Sequence, residues 1–549
     1  MIPQGNKSTA ILLTVVLLAS GVAGATLGGV SAETTPGETN TAEDNPAAST
    51  QDGESGTEFE CAATPPGDLS DPDEDVLGWE NGTWYNESID VDQSDGVQED
   101  EQQAIVTRTT ARVEAVRCVE FNESVPVSVI SREEYRQQYS ERNYSDAYRA
   151  FDNVKFEALF LINESVDSLE VQQANRGVVT LGFYDPRSDE IVVIAENAEQ
   201  LRIDEVTLAH ELVHAWQDQQ FNISDDPFDV RIRDDANAIA GLIEGDASLM
   251  DTLYERQCGQ AWDCLQRESD SSGELANIGV YVLKFLPYSD GPVFVQSVKR
   301  EGGWKAVNEL YEDPPTSSEQ VIRPDKYESD PPTDVSFEDT AAEEWERVGP
   351  PNRPDYASLG ESALMSMFVY PLYDSEGRTQ IVSPNQWLNR TESGNISDFD
   401  PFNYESRYSA GWDGDRLHVY RNESGELAYV WKLAWDSERD AEEFVEGYEQ
   451  VLRYWGGEQV EENVWRIEQG GFADAFYVEI DGQNVTIVNA PTVGQLTEVG
   501  PISAANATTE TTDETNESPD QTATESAEQT TETASEASDA TNETTTTTA

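Results

Sequence analysis

Histidine is nearly absent from this chain, with 3 in 549 residues. Positive charge is scarce too: 33 Lys and Arg stand against 108 Asp and Glu, a formal net charge of −75. Such a surface repels phosphate, so nucleic acid is excluded as a partner, and so is docking onto an anionic membrane face. In dilute buffer the same imbalance weakens a compact fold through self-repulsion, whereas molar salt screens it within about 3 Å. The composition therefore reads as adaptation to high salt. After residue 32 no stretch is apolar enough to span a bilayer. Cysteine is limited to 4 residues, an even number that suits an oxidising exterior. Cys258 and Cys264 are placed to close a small loop, which leaves Cys61 for Cys118. Neither pair has the spacing of a structural zinc site.

What is present at the amino terminus is an export signal. Lys7 is the lone charge before the apolar run Ile11 to Ala19, and Val30-Ser31-Ala32 offers a cleavage site. Residues 1–32 read as a signal peptide for general secretion, because no Arg pair precedes the run. Alternatively Thr9 to Val30 stays uncleaved and spans the bilayer, the one membrane attachment the chain allows. Residues 33–75 form an acidic leader too poor in large apolar side chains to bury a core. Residues 501–549, nearly all Thr, Glu, Ala, Ser, Asn and Asp, read as a disordered stalk without a carboxy-terminal membrane anchor. Asn-x-Ser/Thr sequons at Asn81, Asn86, Asn122, Asn143, Asn163, Asn389 and Asn484 fit a glycosylated surface. The chain is expected to be secreted or held at the cell surface.

Two of the three histidines lie in Leu208-Ala209-His210-Glu211-Leu212-Val213-His214-Ala215-Trp216. Four residues apart on a helix, they sit one turn apart on one face and can converge on one metal ion. Glu211 lies beside them as a general base for a metal-bound water. With His this rare, chance places the pattern in roughly one such chain in several hundred. Leu208, Leu212, Ala215 and Trp216 share the other side and are expected to pack into a core. The bland alternative is a pair of surface histidines on an amphipathic helix.

Catalytic zinc takes three protein ligands and keeps a fourth position for water. The third is expected from the helix Asp235 to Tyr254, where Glu244 shares a small, polar face with Asn237, Ala240, Gly241, Ala247, Ser248 and Asp251. Competing ligands are Asp234, Asp235, Asp251 and His418. Asp246 points roughly 160° away from Glu244 and reads as a structural acid. Before the metal helix, Gly177 to Tyr184 and Glu190 to Ile194 read as a hairpin joined by Asp185 to Asp189. One of its strands is expected to hold an extended substrate by strand addition, with an ordinary core hairpin as the alternative. Other expected helices are Gln98 to Val116, Arg132 to Tyr148, Asn277 to Phe285, Pro292 to Lys299 and Trp304 to Tyr311. Later strands Leu417 to Arg421, Leu427 to Trp435, Ala475 to Ile480 and Asn484 to Asn489, with a helix Glu438 to Tyr454, carry no catalytic pattern. His418 among them reads as structural.

The fold class is α+β: a zincin-like domain over 76–345, carrying the His-Glu-x-x-His helix and the Glu244 helix, then a smaller α/β portion over 346–500, with disordered termini. Gly182-Phe183-Tyr184-Asp185-Pro186, the continuation Gln217-Asp218-Gln219-Gln220-Phe221 and Glu244-Gly245-Asp246-Ala247 resemble a prokaryotic family of gluzincin-like zinc-metallopeptidase-like proteins. Pro314 to Gln320 and Gly411 to Arg416 also look like that family, and the composition and termini look like haloarchaeal surface proteins. The resemblance spans roughly 76–490. It implies Zn2+ held by His210, His214 and Glu244, with Glu211 as base, acting on a peptide or protein substrate. The chain departs from it at Arg323, where the family leads one to expect His. For an oxyanion donor, Tyr184, Tyr327, Arg323 and His418 are the candidates. The rival class is a metal-binding surface or adhesion protein without turnover.

Overall fold

A computed structural model describes residues 61–140, 144–195, 202–265 and 274–502. The expected signal peptide, most of the acidic leader and nearly all of the Thr/Glu-rich tail lie outside those residues. A ribbon of β1 (Trp79–Glu80) and β2 (Thr83–Trp84) leads into α1 (Glu99–Arg117), which a Gln98/Glu101 capping box starts. There follow β3 (Val127–Ser131), α2 (Arg132–Ser140), α3 (Asp146–Ala158) and α4 (Ser168–Val179). The single polar helix expected over Arg132 to Tyr148 is thus two, and Ser145 caps the second by accepting the Tyr148 amide. Gly177-Val178-Val179 close α4 rather than opening a strand. That helix is fixed by its Asp167 cap and by burial of Leu169 and Gln172, which overrides the β-branched run.

The hairpin itself forms: β4 (Gly182–Asp185) pairs antiparallel with β5 (Glu190–Ala195), which pairs parallel with β3. The sheet order β3-β5-β4 leaves β4 at the edge. Next come α5 (Glu205–Phe221), α6 (Arg233–Glu255) and α7 (Ile278–Glu309). The last joins three segments expected to be separate helices; it runs through Pro287 and Pro292 and breaks only at Gly303, with φ 68°. Short α8 (Ser318–Ile322) and β6 (Trp345–Arg347) precede α9 (Glu361–Asp374) and α10 (Pro384–Trp387).

The remaining elements are β7 (Trp412–Asn422), β8 (Leu427–Trp435), α11 (Glu438–Tyr454), β9 (Gly457–Glu461), β10 (Val464–Ile467), β11 (Ala475–Asp481), β12 (Asn484–Ala490) and α12 (Val493–Val499). Strands 6 to 12 make one sheet, ordered β6-β7-β8-β12-β11-β10-β9 and antiparallel throughout. The expected α/β portion is therefore α+β. Most links in this sheet are hairpins too short for the crossovers that parallel strands need. One apolar core runs from α3 through α7 and α9 to this sheet: the Phe160 ring lies 5.2 Å from Phe472 and 5.5 Å from Phe476. A second core holds α1, α5 and the small sheet, and receives Leu208, Leu212, Ala215 and Trp216 as expected. Cys61 is bonded to Cys118 and Cys258 to Cys264. Among the described residues no helix is long and apolar enough to cross a membrane.

Candidate metal centre

Helix α5 starts where the Asp204 carboxylate accepts the Thr207 amide, and ends at Asn222 in the left-handed conformation. Its amino end is pinned from α1. The buried Glu205 carboxylate accepts from Arg108 and Arg112, both buried, and from the Leu265 amide. Such a pair holds position because losing either partner would leave a buried charge unmatched. Three of the chain's few arginines fall in α1, at 108, 112 and 117. A reading of that helix by its apolar positions passes over them.

Helix α6 packs against both α5 and α7. Its approach to α7 rests on glycine: a Cβ on Gly245 would lie 2.5 Å from the Gly291 carbonyl, and one on Gly291 2.7 Å from the Gly241 oxygen. The small face of α6 thus fits it to α7, and Glu244 reaches α5. His210 Nε2 and His214 Nε2 lie 3.3 and 3.2 Å from Glu244 Oε2, with the two rings 4.7 Å apart and nearly perpendicular. All three side chains are buried, and one ligand atom from each lies within 4.8 Å of the others.

The remaining ring nitrogens are committed elsewhere. His210 Nδ1 donates to Asp251 Oδ2 at 2.7 Å, and His214 Nδ1 donates to Gln217 Oε1 at 2.9 Å. Both rings are thereby set with their Nε2 lone pairs toward Glu244. Gln217 passes its amide protons to the Ile243 carbonyl and the Tyr311 hydroxyl; Tyr311 donates to Asp246, which Arg117 grips at 2.7 and 2.9 Å. Asp246 is the structural acid expected, linked to His214 through two intermediaries. Asp251, weighed as a ligand, instead accepts the His210 Nδ1 proton. Spacing marks both partners: Gln217 follows His214 by three residues, and Asp251 follows Glu244 by seven.

Electrostatics agree with a cation site. Burial opposes ionisation of Glu244, yet the two imidazoles hold its pKa down to about 2. Burial lifts Glu211 to about 7 against the pull of the same imidazoles. No other side chain bonds the Glu211 carboxylate, on which only the Tyr184 amide of β4 draws, and the one neighbour of His214 Nε2 is Glu244 Oε2. Two imidazole nitrogens, one carboxylate and a neighbouring carboxylate that no side chain bonds form a set able to hold a divalent cation with its water.

The edge strand β4 borders this cluster. A Cβ on Gly182 would lie 3.4 Å from Glu211 Oε1, so glycine keeps the strand close, and the Tyr184 hydroxyl ties β4 to α5 through Asp218 at 3.1 Å. The Ile194 amide donates to the Leu181 carbonyl. By alternation Phe183 is the next residue bonded inward to β5, and the backbone groups of Gly182 and Tyr184 face outward.

The rival ligands lie elsewhere. Asp234 accepts from Ser318, Asp235 sits beside it at the start of α6, and His418 packs 4.1 Å from Phe337 with its pKa pushed down to about 4 by burial. Nor do the four expected oxyanion donors reach the centre with a side chain: Tyr184 binds Asp218, Tyr327 the Asp313 carbonyl, Arg323 Glu361, and His418 lies in β7. Tyr288 does. After burial, the charges of Glu244 and Glu211 hold its phenol well above the ordinary range, so it stays an O–H donor. Breaking α7 at Phe285 hid it, because Tyr288 then fell between two expected helices.

Residues 346–500 match a family model described as Domain of unknown function (DUF8575). That span holds the antiparallel sheet with α9 to α12 and none of the metal-cluster residues. No curated protein and no solved structure matches the chain.

Proposed function

We propose that this chain is an exported, zinc-dependent metallopeptidase with a zincin-type centre of His210, His214 and Glu244. The observation that carries the reading is the convergence of those three buried side chains beside Glu211, whose carboxylate no other side chain bonds. Bound zinc would polarise a scissile carbonyl and bring the pKa of a water to about 7. Glu211, poised near the same value, takes the proton of the attacking water and returns it to the leaving amine. The Tyr288 hydroxyl is the donor for the developing oxyanion. The outward amides and carbonyls of β4 hold the substrate backbone extended across the centre. Two disulfides and exposed sequons at Asn81, Asn86, Asn122 and Asn484 support an extracellular setting.

The test is cleavage of a peptide library in high salt with and without chelator, on wild type and Glu211→Gln. We expect chelator-sensitive cleavage that falls by about two to four orders of magnitude in the variant while zinc content is kept. A zinc-loaded wild type that cleaves nothing leaves a metal-binding surface protein as the reading. A variant as fast as wild type removes Glu211 from its role.

A further inference from the structure

We propose that the cavity between α3, the start of α6 and residues 350–357 binds a chloride ion. In a chain where acids outnumber bases by 108 to 33, four cations line this one small space: Lys155, Arg231, Arg233 and Arg353, together with Tyr148. Two are matched, Lys155 by Asp152 at 2.7 Å and Arg231 by Asp229 at 2.9 Å. Among the described residues no carboxylate pairs with Arg233 or Arg353. Their guanidinium groups lie over rings, Arg233 5.9 Å from the Phe156 centroid and Arg353 4.9 Å from that of Tyr148. Asp152, already paired with Lys155, also draws on Arg233, so four cations face two carboxylates, and an anion between Arg233 and Arg353 offsets the excess.

Other donors face the same space. No side chain caps α6 at Ile232, so the positive end of the helix dipole points to a cavity that Ile232 and Arg233 line. Burial raises the Tyr148 phenol, which keeps it a neutral O–H donor. The cavity is narrow and opens to solvent, so it takes one compact anion between the two guanidinium groups. Chloride is the compact anion of the concentrated salt that the acidic composition calls for. Because α6 carries Glu244 and Asp251, the ion would fasten the helix that completes the metal centre.

Thermal melting of the whole protein at one fixed ionic strength, with gluconate replaced stepwise by chloride, tests this. The linewidth of the chloride NMR signal gives a second readout that needs no unfolding. The melting temperature should rise and saturate with chloride, and bromide should substitute. In Arg353→Gln, a change in a surface segment, the chloride midpoint should weaken by about tenfold or more with an unchanged circular dichroism spectrum. A melting temperature that follows ionic strength alone, the same in chloride and gluconate, overturns the proposal. So does a chloride linewidth equal in wild type, Arg353→Gln and Arg233→Gln.

Discussion

Replacing Asp251 by Asn separates orienting a ligand from being one. In the native protein Asp251 accepts the His210 Nδ1 proton at 2.7 Å, with its side chain only 12% exposed. The amide oxygen of Asn can accept the same proton, so the ring keeps its place and only the charge is lost. A bond to a charged acceptor exceeds a neutral one by roughly 1–2 kcal/mol, which converts to about five- to thirtyfold in zinc affinity. That agrees with the usual effect of removing a partner that orients a metal ligand. Zinc affinity is read by competition with a fluorescent chelator at fixed pH and salt. Glu244→Gln should lose far more than Asp251→Asn, because it removes a coordinating oxygen. Asp234→Asn should stay within about twofold of wild type, since that acid, at the start of α6, bonds Ser318 of α8. Equal affinity in Asp251→Asn and wild type would refute the orienting role. An equal loss in Asp234→Asn would show that acids on α6 act only through folding.

Arg117→Leu should cost about 3–5 kcal/mol by stranding the buried Asp246 carboxylate, seen as a large drop in melting temperature, and Arg117→Met/Asp246→Leu should recover most of it. Gly245→Ala should destabilise by about 1–3 kcal/mol, since its Cβ would meet the Gly291 backbone at 2.5 Å; unaltered urea unfolding would mean that α6 and α7 lie farther apart. Burial raises Asp234 to about 8, so the folded state holds a proton there that the unfolded chain releases near pH 4. Its stabilising effect is full below about pH 4 and declines as pH rises to about 8. Asp234→Asn should remove that slope, on the order of a few kcal/mol across the window, when stability is compared pH by pH with wild type.

Spacing alone singled out the residues that the fold brings together. His210, Glu211 and His214 follow from helical periodicity, and so does the burial of Leu208, Leu212, Ala215 and Trp216, because a helix repeats every few residues whatever surrounds it. Glu244 was legible as the acid of a small-residue helix, and the hairpin before α5 from its turn. Composition established the charge and the separation of apolar from low-complexity sequence. Partnership across distance was not legible. That Asp251 bonds His210, that Gln217, Tyr311, Asp246 and Arg117 form one chain behind His214, and that α1 pins α5 through Glu205 depend on contacts between residues as far as 129 apart in sequence. The same holds for Tyr288, which reaches the centre because α7 runs on through Pro287 and Pro292, and for Gly177 to Val179, where packing against the core outweighed the preference of valine for strands. Local propensity is set by a residue's neighbours in the chain, whereas the worth of a buried charge or hydroxyl is set by what folding brings against it.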